Sequence, residues 1–172
     1  MESDQRRFAE QGRDPRANTA MDVARGIARM FHRLSLVALI EVPLPNGRRA
    51  DMVAIDPRGQ IIIVEIKVAK SDLLLDKKWP EYLEWCDQFY WALPPSLDPL
   101  HIDGETAQSS RCGLIIADRY DASIVKEAAI VSLAPARRRS ELLRVGRLAM
   151  RRMMVSQDPD LLSHVGRNDI GV

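Results

Sequence analysis

Apolar and polar positions change period several times along the chain, and each change marks an element. Val23, Ile27, Met30, Phe31 and Leu34 recur at helical spacing behind Thr19, a capping residue, and predict a helix over 20–34. Arg25, Arg29 and Arg33 lie on a different face of it. Three strand-like runs follow, at 36–44, 49–56 and 60–68. Asn46-Gly47 between the first two is a strong hairpin signal and predicts a two-residue turn. Ile61, Ile62, Ile63, Val64 and Ile66 in the third run are β-branched, as in a strand buried on both faces. The stretch 71–76 is a transition rich in capping residues, and Pro80 suits the first turn of a short helix through Tyr82, Leu83 and Cys86. Strands are predicted at 89–93, 113–117 and 124–131, with a long loop over 94–111. Pro135 then opens a final helix to about 155. The expected fold is α/β, a mixed sheet flanked by helices with an α-β-β-β-α-β core and a long C-terminal helix. Residues 1–18 read as a flexible N-terminal tail, 19–155 as one domain and 156–172 as a C-terminal tail.

Composition narrows the class. A chain of 172 residues, 46% hydrophobic and 28% charged, suits one folded domain with a full core. Its formal net charge of +1 places any polyanion surface in local patches. No apolar run approaches the ~20 residues of a membrane span, and no signal-peptide centre is present. Cys86 and Cys112 form neither CxxC nor a zinc spacing, so reduced thiols and a cytoplasmic location are expected. Phosphate-loop, dinucleotide and GxSxG motifs are absent, and His32, His101 and His164 stand alone.

Acid in apolar strands is the feature that composition leaves unexplained. If Pro57, Arg58 and Gly59 form a three-residue loop with Gly59 in the left-handed conformation, Asp56 pairs with Gln60. Counting back along both strands, Asp51 then lies opposite Glu65, with Cβ atoms ~4.5–5.5 Å apart. Lys67 shares the face of Glu65 by strand alternation. A two-residue turn would instead set Asp51 opposite Val64. Two facing carboxylates repel, and burial raises the penalty. A hard divalent cation resolves the conflict, and Mg²⁺ takes few carboxylates while leaving room for water and phosphate. Lys67 beside it could orient the attacking water or stabilise charge on a phosphate oxygen. The competing reading is a plain salt bridge on a solvated sheet face.

A helix, a three-stranded meander, Asp51 on its second strand, Glu65-Ile66-Lys67 on its third, then a helix and a strand resemble the PD-(D/E)XK nuclease superfamily, with its restriction-endonuclease-like fold, over 19–117. More narrowly, "GRRADMVAIDPRGQIIIVEIKVAKSDLLLDKKWPEYLEWCDQFYWALP" followed by "GLIIAD" resembles the MmcB family of bacterial DNA-repair proteins. The resemblance implies a DNA-repair endonuclease, a hydrolase that cuts phosphodiester bonds with a water activated by Mg²⁺ or Mn²⁺. It implies Asp51, Glu65 and the Ile66 main-chain carbonyl as metal ligands, with Lys67 positioning the water. Ala50 stands where the superfamily's name has proline. Many members add an acid from the first helix, where this chain has only Asp22, which also suits a helix cap. Glu41 is a further candidate acid; a two-residue Asn46-Gly47 turn sets it opposite Met52, away from Asp51, unless a bulge intervenes.

DNA contacts are expected from two groups. Arg137, Arg144, Arg147 and Arg151 fall within ~80° of one another on the final helix, opposite a stripe of Leu142, Val145, Ala149 and Met153. Arg48, Arg49, Lys70, Lys77 and Lys78 flank the acidic strands, and Tyr82 is the aromatic kept for base stacking. Trp85 and Trp91 are expected to pack a helix on the sheet. The implied partners are DNA and other repair proteins, with a homodimer as an option and no membrane. The alternative function is a catalytically inactive DNA-binding or adaptor protein on the same scaffold.

Overall fold

The computed structural model describes residues 18–75, 78–99 and 109–163. The expected N-terminal tail lies almost wholly outside them, as does most of the loop after Leu97. Helix α1 (Ala20–Arg33) opens on a reciprocal cap, in which Asp22 N–H donates to Thr19 Oγ1 at 3.1 Å and Thr19 N–H donates back to Asp22 at 3.1 Å. Strands β1 (Val37–Pro43), β2 (Arg49–Ile55) and β3 (Ile61–Ile66) form the predicted meander. A short helix α2 (Lys70–Leu75), which periodicity did not predict, and a 3₁₀ turn (Trp79–Tyr82) cross to β4 (Gln88–Leu93). Strands β5 (Cys112–Ala117) and β6 (Ala122–Lys126) follow, then helix α3 (Pro135–Gln157) and a closing 3₁₀ turn (Pro159–Ser163), which occupies part of the expected C-terminal tail. The six strands run in the order β1-β2-β3-β4-β5-β6, parallel at β3-β4 and β4-β5 and antiparallel elsewhere. The α/β class, the mixed sheet and the long final helix are therefore as expected.

Strand alternation gives the sheet two apolar faces. Val23, Ile27, Met30 and Phe31 of α1 pack on Met52, Ala54, Ile62, Val64, Tyr90 and Ile115. Val53, Ile61, Ile63, Phe89, Trp91 and Leu93 face the other way, under Leu73 of α2, Tyr82 and Val145 of α3. Every residue of β3 is buried, as its β-branched run implied.

Two expectations fail for identifiable reasons. Strand β6 ends at Lys126 instead of 131 because Asp87 draws the following chain away. Val131 N–H donates to its carbonyl at 2.9 Å and Leu133 N–H to its carboxylate at 2.8 Å. The β1-β2 hairpin also has three loop residues. Leu44 N–H donates to Arg48 O at 2.7 Å, and Gly47 takes φ 79°. A two-residue loop would make Pro45 and Arg48 the closing hydrogen-bonded pair, and Pro45 has no N–H to give. Pro57-Arg58-Gly59 uses the same solution, with Gly59 at φ 80°.

Gly26 marks where α1 rests on the β5-β6 turn: a Cβ there would stand 2.1 Å from Asp118 O and 2.5 Å from Asp121 O. Gly26→Ala gains about 1 kcal/mol of helix propensity but forces helix and turn apart, which costs about 1–3 kcal/mol in overpacked sites. The clash should win, and thermal unfolding should show the variant melting several degrees lower. An unchanged or raised Tm would mean that α1 is not seated so closely.

Candidate active site

The register around the β2-β3 loop is the one the three-residue turn requires. Asp56 N–H donates to Gln60 O at 3.1 Å, and the ladder runs from Ile55↔Ile61 to Met52↔Val64. The next step would pair Asp51 with Glu65, and there side chains replace main chain. Asp51 N–H donates to Glu65 Oε1 at 3.2 Å, and Ile66 N–H donates to Asp51 Oδ2 at 2.8 Å. Each carboxylate thus holds the other strand's backbone while the two strands part. Beyond this point β3 stays paired only with β4, through Glu65↔Trp91, Ile66↔Ala92 and Lys67 N–H to Ala92 O at 2.9 Å. A trans peptide sets the Ile66 carbonyl opposite the Lys67 N–H, so that oxygen points away from β4 into the gap beside Asp51.

Lys67 Nζ lies 4.0 Å from Glu65 Oε2 and 5.4 Å from the Trp91 ring centroid, both largely out of water. Glu65 is 4% exposed, which makes it one of the few buried charged residues of the described chain. Burial pushes the Asp51 carboxyl above the ordinary carboxylate range, and the negative charge of Glu41 adds to it; the Ile66 N–H, Lys67 and Arg49 act in the opposite direction. A carboxylate kept uneasy by desolvation, beside a second buried carboxylate, is an acceptor for a cation. Among the described residues no three side chains of His, Cys, Asp or Glu converge as a full metal cage. Two carboxylates and one main-chain carbonyl fit a hard ion that keeps several waters.

Glu41 comes to the level of Asp51, contrary to the expected turn. The three-residue loop pairs Ile40 with Met52 and Val42 with Ala50, so Glu41 and Asp51 are the intervening, unladdered pair. Glu41 has φ 54°, a left-handed backbone rare outside glycine, asparagine and aspartate. Its carboxylate turns to Arg49 at 2.7 Å, so it stands at the rim of the site without closing on Asp51. Asp22 serves the α1 cap: the Thr19 N–H and hydroxyl hold its carboxyl below the usual range, and Arg25 and Arg119 lie 3.7 and 3.6 Å away.

The expected nucleic-acid contacts divide. Arg49 is exposed beside the site, and Lys70 and Lys78 are exposed around α2, while Lys77 lies outside the described residues. Arg48 instead makes a two-pronged pair with Glu81, both bonds 2.8 Å, that anchors the hairpin tip to the 3₁₀ turn. Tyr82 is buried with its ring stacked on Phe89 at 5.8 Å, so no ring face is left for a base. On α3, Arg144 turns inward to Glu141 at 2.6 Å and to Pro43 O, and Arg137 lies over the Trp85 ring at 4.4 Å. Arg147 and Arg151 remain exposed, and Met153 is exposed where the predicted stripe would bury it. Two residues were missed: Arg152 donates to Ile40 O and to Glu41 O, and Arg138 pairs with buried Asp87 at 2.7 Å. The composition of α3, seven arginines against one glutamate, was the available signal that some of them serve packing.

The fold and site together define an α/β protein with a mixed six-stranded sheet and a half-buried acid-acid-lysine cluster where two strands part. Residues 8–160 match the MmcB-like DNA repair proteins, so the chain belongs to that family. A solved structure, the SPO1766 protein of unknown function from Silicibacter pomeroyi, is similar at 34% identity and TM-score 0.73. The likeness covers 92% of this chain and 99% of that one. No curated protein matches the chain. No described helix is long and apolar enough to cross a membrane.

Because the Asp51 carboxyl is raised in the folded state, its protonated form favours folding. That contribution is fully present below the ordinary carboxyl range of about 4 and is lost as pH rises through the folded value. Asp51→Asn keeps an oxygen for the Ile66 N–H and removes the ionisation. The variant should therefore melt above wild type at pH 7 without metal, with the gap closing as pH falls below about 4. A variant less stable than wild type at pH 7 would show that the ionised carboxylate is instead a net structural asset.

Proposed function

We propose that the protein is a metal-dependent DNA nuclease of the PD-(D/E)XK type that serves DNA repair. The family membership supports the repair role. The observation that carries the catalytic reading is the pair of half-buried Asp51 and buried Glu65, held by reciprocal backbone bonds at the point where β2 and β3 part. An ion-pair cluster built only for stability would not need two carboxylates for one ammonium, one of them disfavoured by burial.

Asp51, Glu65 and the Ile66 carbonyl are the groups that would hold Mg²⁺ or Mn²⁺. Such an ion supplies Lewis-acid polarisation of the phosphodiester and a more acidic water. The protein's own part is positioning. Asp51 and Glu65 are fixed by backbone amides, so little reorganisation is needed at the moment of reaction. Lys67, braced by Glu65 and the Trp91 ring, orients the water and stabilises charge on a non-bridging phosphate oxygen. Arg49 sits within reach of the flanking backbone, and its surface pair with Glu41 is weak enough to exchange for phosphate, at about 0–1 kcal/mol.

Cleavage of single-stranded, nicked and branched DNA in Mg²⁺ or Mn²⁺ tests the reading. Wild type should cut at least one of them, Asp51→Asn and Glu65→Gln should not, and Lys67→Ala should lose about 10²–10³-fold in rate. Lys67→Ala cutting at the wild-type rate would remove the lysine from the chemistry. Equal residual activity in all variants would assign the cutting to a contaminant.

A further inference from the structure

Helix α3 and the β1-β2 hairpin enclose a groove of about 530 Å³. Its floor is apolar, formed by Pro43, Leu44, Pro45 and Leu148, while Arg147 and Arg151 stand on its rim. Both rim arginines are exposed, and among the described residues neither pairs with a carboxylate. The helix that carries them holds seven arginines and one glutamate in a chain whose net charge is only +1. The lone glutamate is already satisfied by Arg144. The groove is thus a concentrated positive edge over an apolar floor, and its occupant has to be anionic and apolar at once.

We infer that this groove seats single-stranded nucleic acid running up to the Asp51-Glu65 site. The inference rests on the nuclease reading for the position of the cut, but not for binding. Duplex DNA offers its phosphates and hides the faces of its bases, which would leave the apolar floor uncovered. A single strand offers both: phosphates for the guanidinium groups, and unpaired bases and sugars for the prolines and Leu148. The groove volume lies in the range of pockets that enclose a drug-sized ligand, too small for a duplex segment and suited to one or two nucleotides. Arg147 and Arg151 are one helical turn apart, about 6 Å along the axis, and can reach neighbouring phosphates. The groove also leads to the right place. Pro43 pairs with Arg49, two residues along the hairpin from Glu41 and Asp51, which is roughly 7 Å of strand.

Arg152 and Arg144 fix the shape of the groove. Arg152 holds the carbonyls of Ile40 and Glu41, and Arg144 holds that of Pro43, so the hairpin wall is tied to the helix at both ends. The bracing arginines, Arg144 and Arg152, flank the binding arginines, Arg147 and Arg151, along the same helix.

Fluorescence anisotropy with a labelled mixed-sequence 20-mer, single-stranded or annealed, in EDTA over a salt series, separates the possibilities. Wild type should prefer the single strand. The double variant Arg147→Ala/Arg151→Ala should bind it at least tenfold more weakly, with the slope of log K against log salt smaller by about 1.4, or 0.7 per lost phosphate. Asp51→Asn should bind at least as well as wild type, because it removes a negative charge near the strand. Tighter binding of the duplex, an unaffected double variant, or no DNA binding together with capture of a polyglutamate peptide would each overturn the inference, the last in favour of an acidic protein partner. Strong single-strand binding by a wild type that cuts nothing would leave the groove standing while removing the nuclease.

Discussion

The two hairpins of this sheet are out of step with each other, and the site forms where the mismatch is absorbed. Arg48 closes the first hairpin with its carbonyl turned to β1, and Asp56 closes the second with its N–H turned to β3. Residues of a regular strand that face opposite neighbours are an odd number apart, yet these two are eight apart. One step of phase must be lost between them. It is lost at the level of Glu41 and Asp51, where Glu41 enters the left-handed region and the ladder skips a pair. Side-chain direction changes there too, for Val42, Leu44 and Ala50 join the α3 face although Ile40 and Met52 point to the α1 face. Main-chain groups freed by the break are taken up by the carboxylates of Asp51 and Glu65 and by the guanidinium of Arg152. Local strain of this kind survives only where the surroundings over-determine it, and it collects at functional sites.

The same constraint accounts for the divided labour of α3. In a regular strand successive carbonyls point to opposite edges, so one guanidinium could not receive both Ile40 O and Glu41 O. The left-handed Glu41 brings them together, and Arg152 binds the pair. Edge strands otherwise present bare carbonyls to any passing chain. Here α3 covers those of β1 and, with Arg138 on Asp87, fixes the sheet at two corners. Only the arginines not used in this way, chiefly Arg147 and Arg151, are left to face solvent.

Much of this was legible in the sequence, and the parts that were not have physical reasons. The Asp51-Glu65 register followed from a single glycine, because Gly59 fixes the loop and the loop fixes every pair behind it. The first hairpin was misjudged because Asn46-Gly47 outweighed Pro45, although a proline cannot close a two-residue turn and Asp56-Pro57-Arg58-Gly59 offered the same pattern. Reading both loops alike would have brought Glu41 level with Asp51 and shown the phase conflict directly. Helical periodicity placed four arginines of α3 on one arc but could not say which would bend inward, since that depends on where carbonyls of β1 fall. Tyr82 was misplaced for a similar reason: its neighbour Phe89 lies across a crossover that no local pattern reports.

The proposed chemistry requires Asp51 and Glu65 to be a cation site and not merely a lock between two strands. Titration calorimetry with Mn²⁺ on wild type and Glu65→Gln, both shown to be folded, tests this most directly. One saturable site in wild type, lost in the variant, is the predicted result. No heat of binding in wild type, or binding of equal strength in the variant, would contradict it and leave the carboxylates as a structural device.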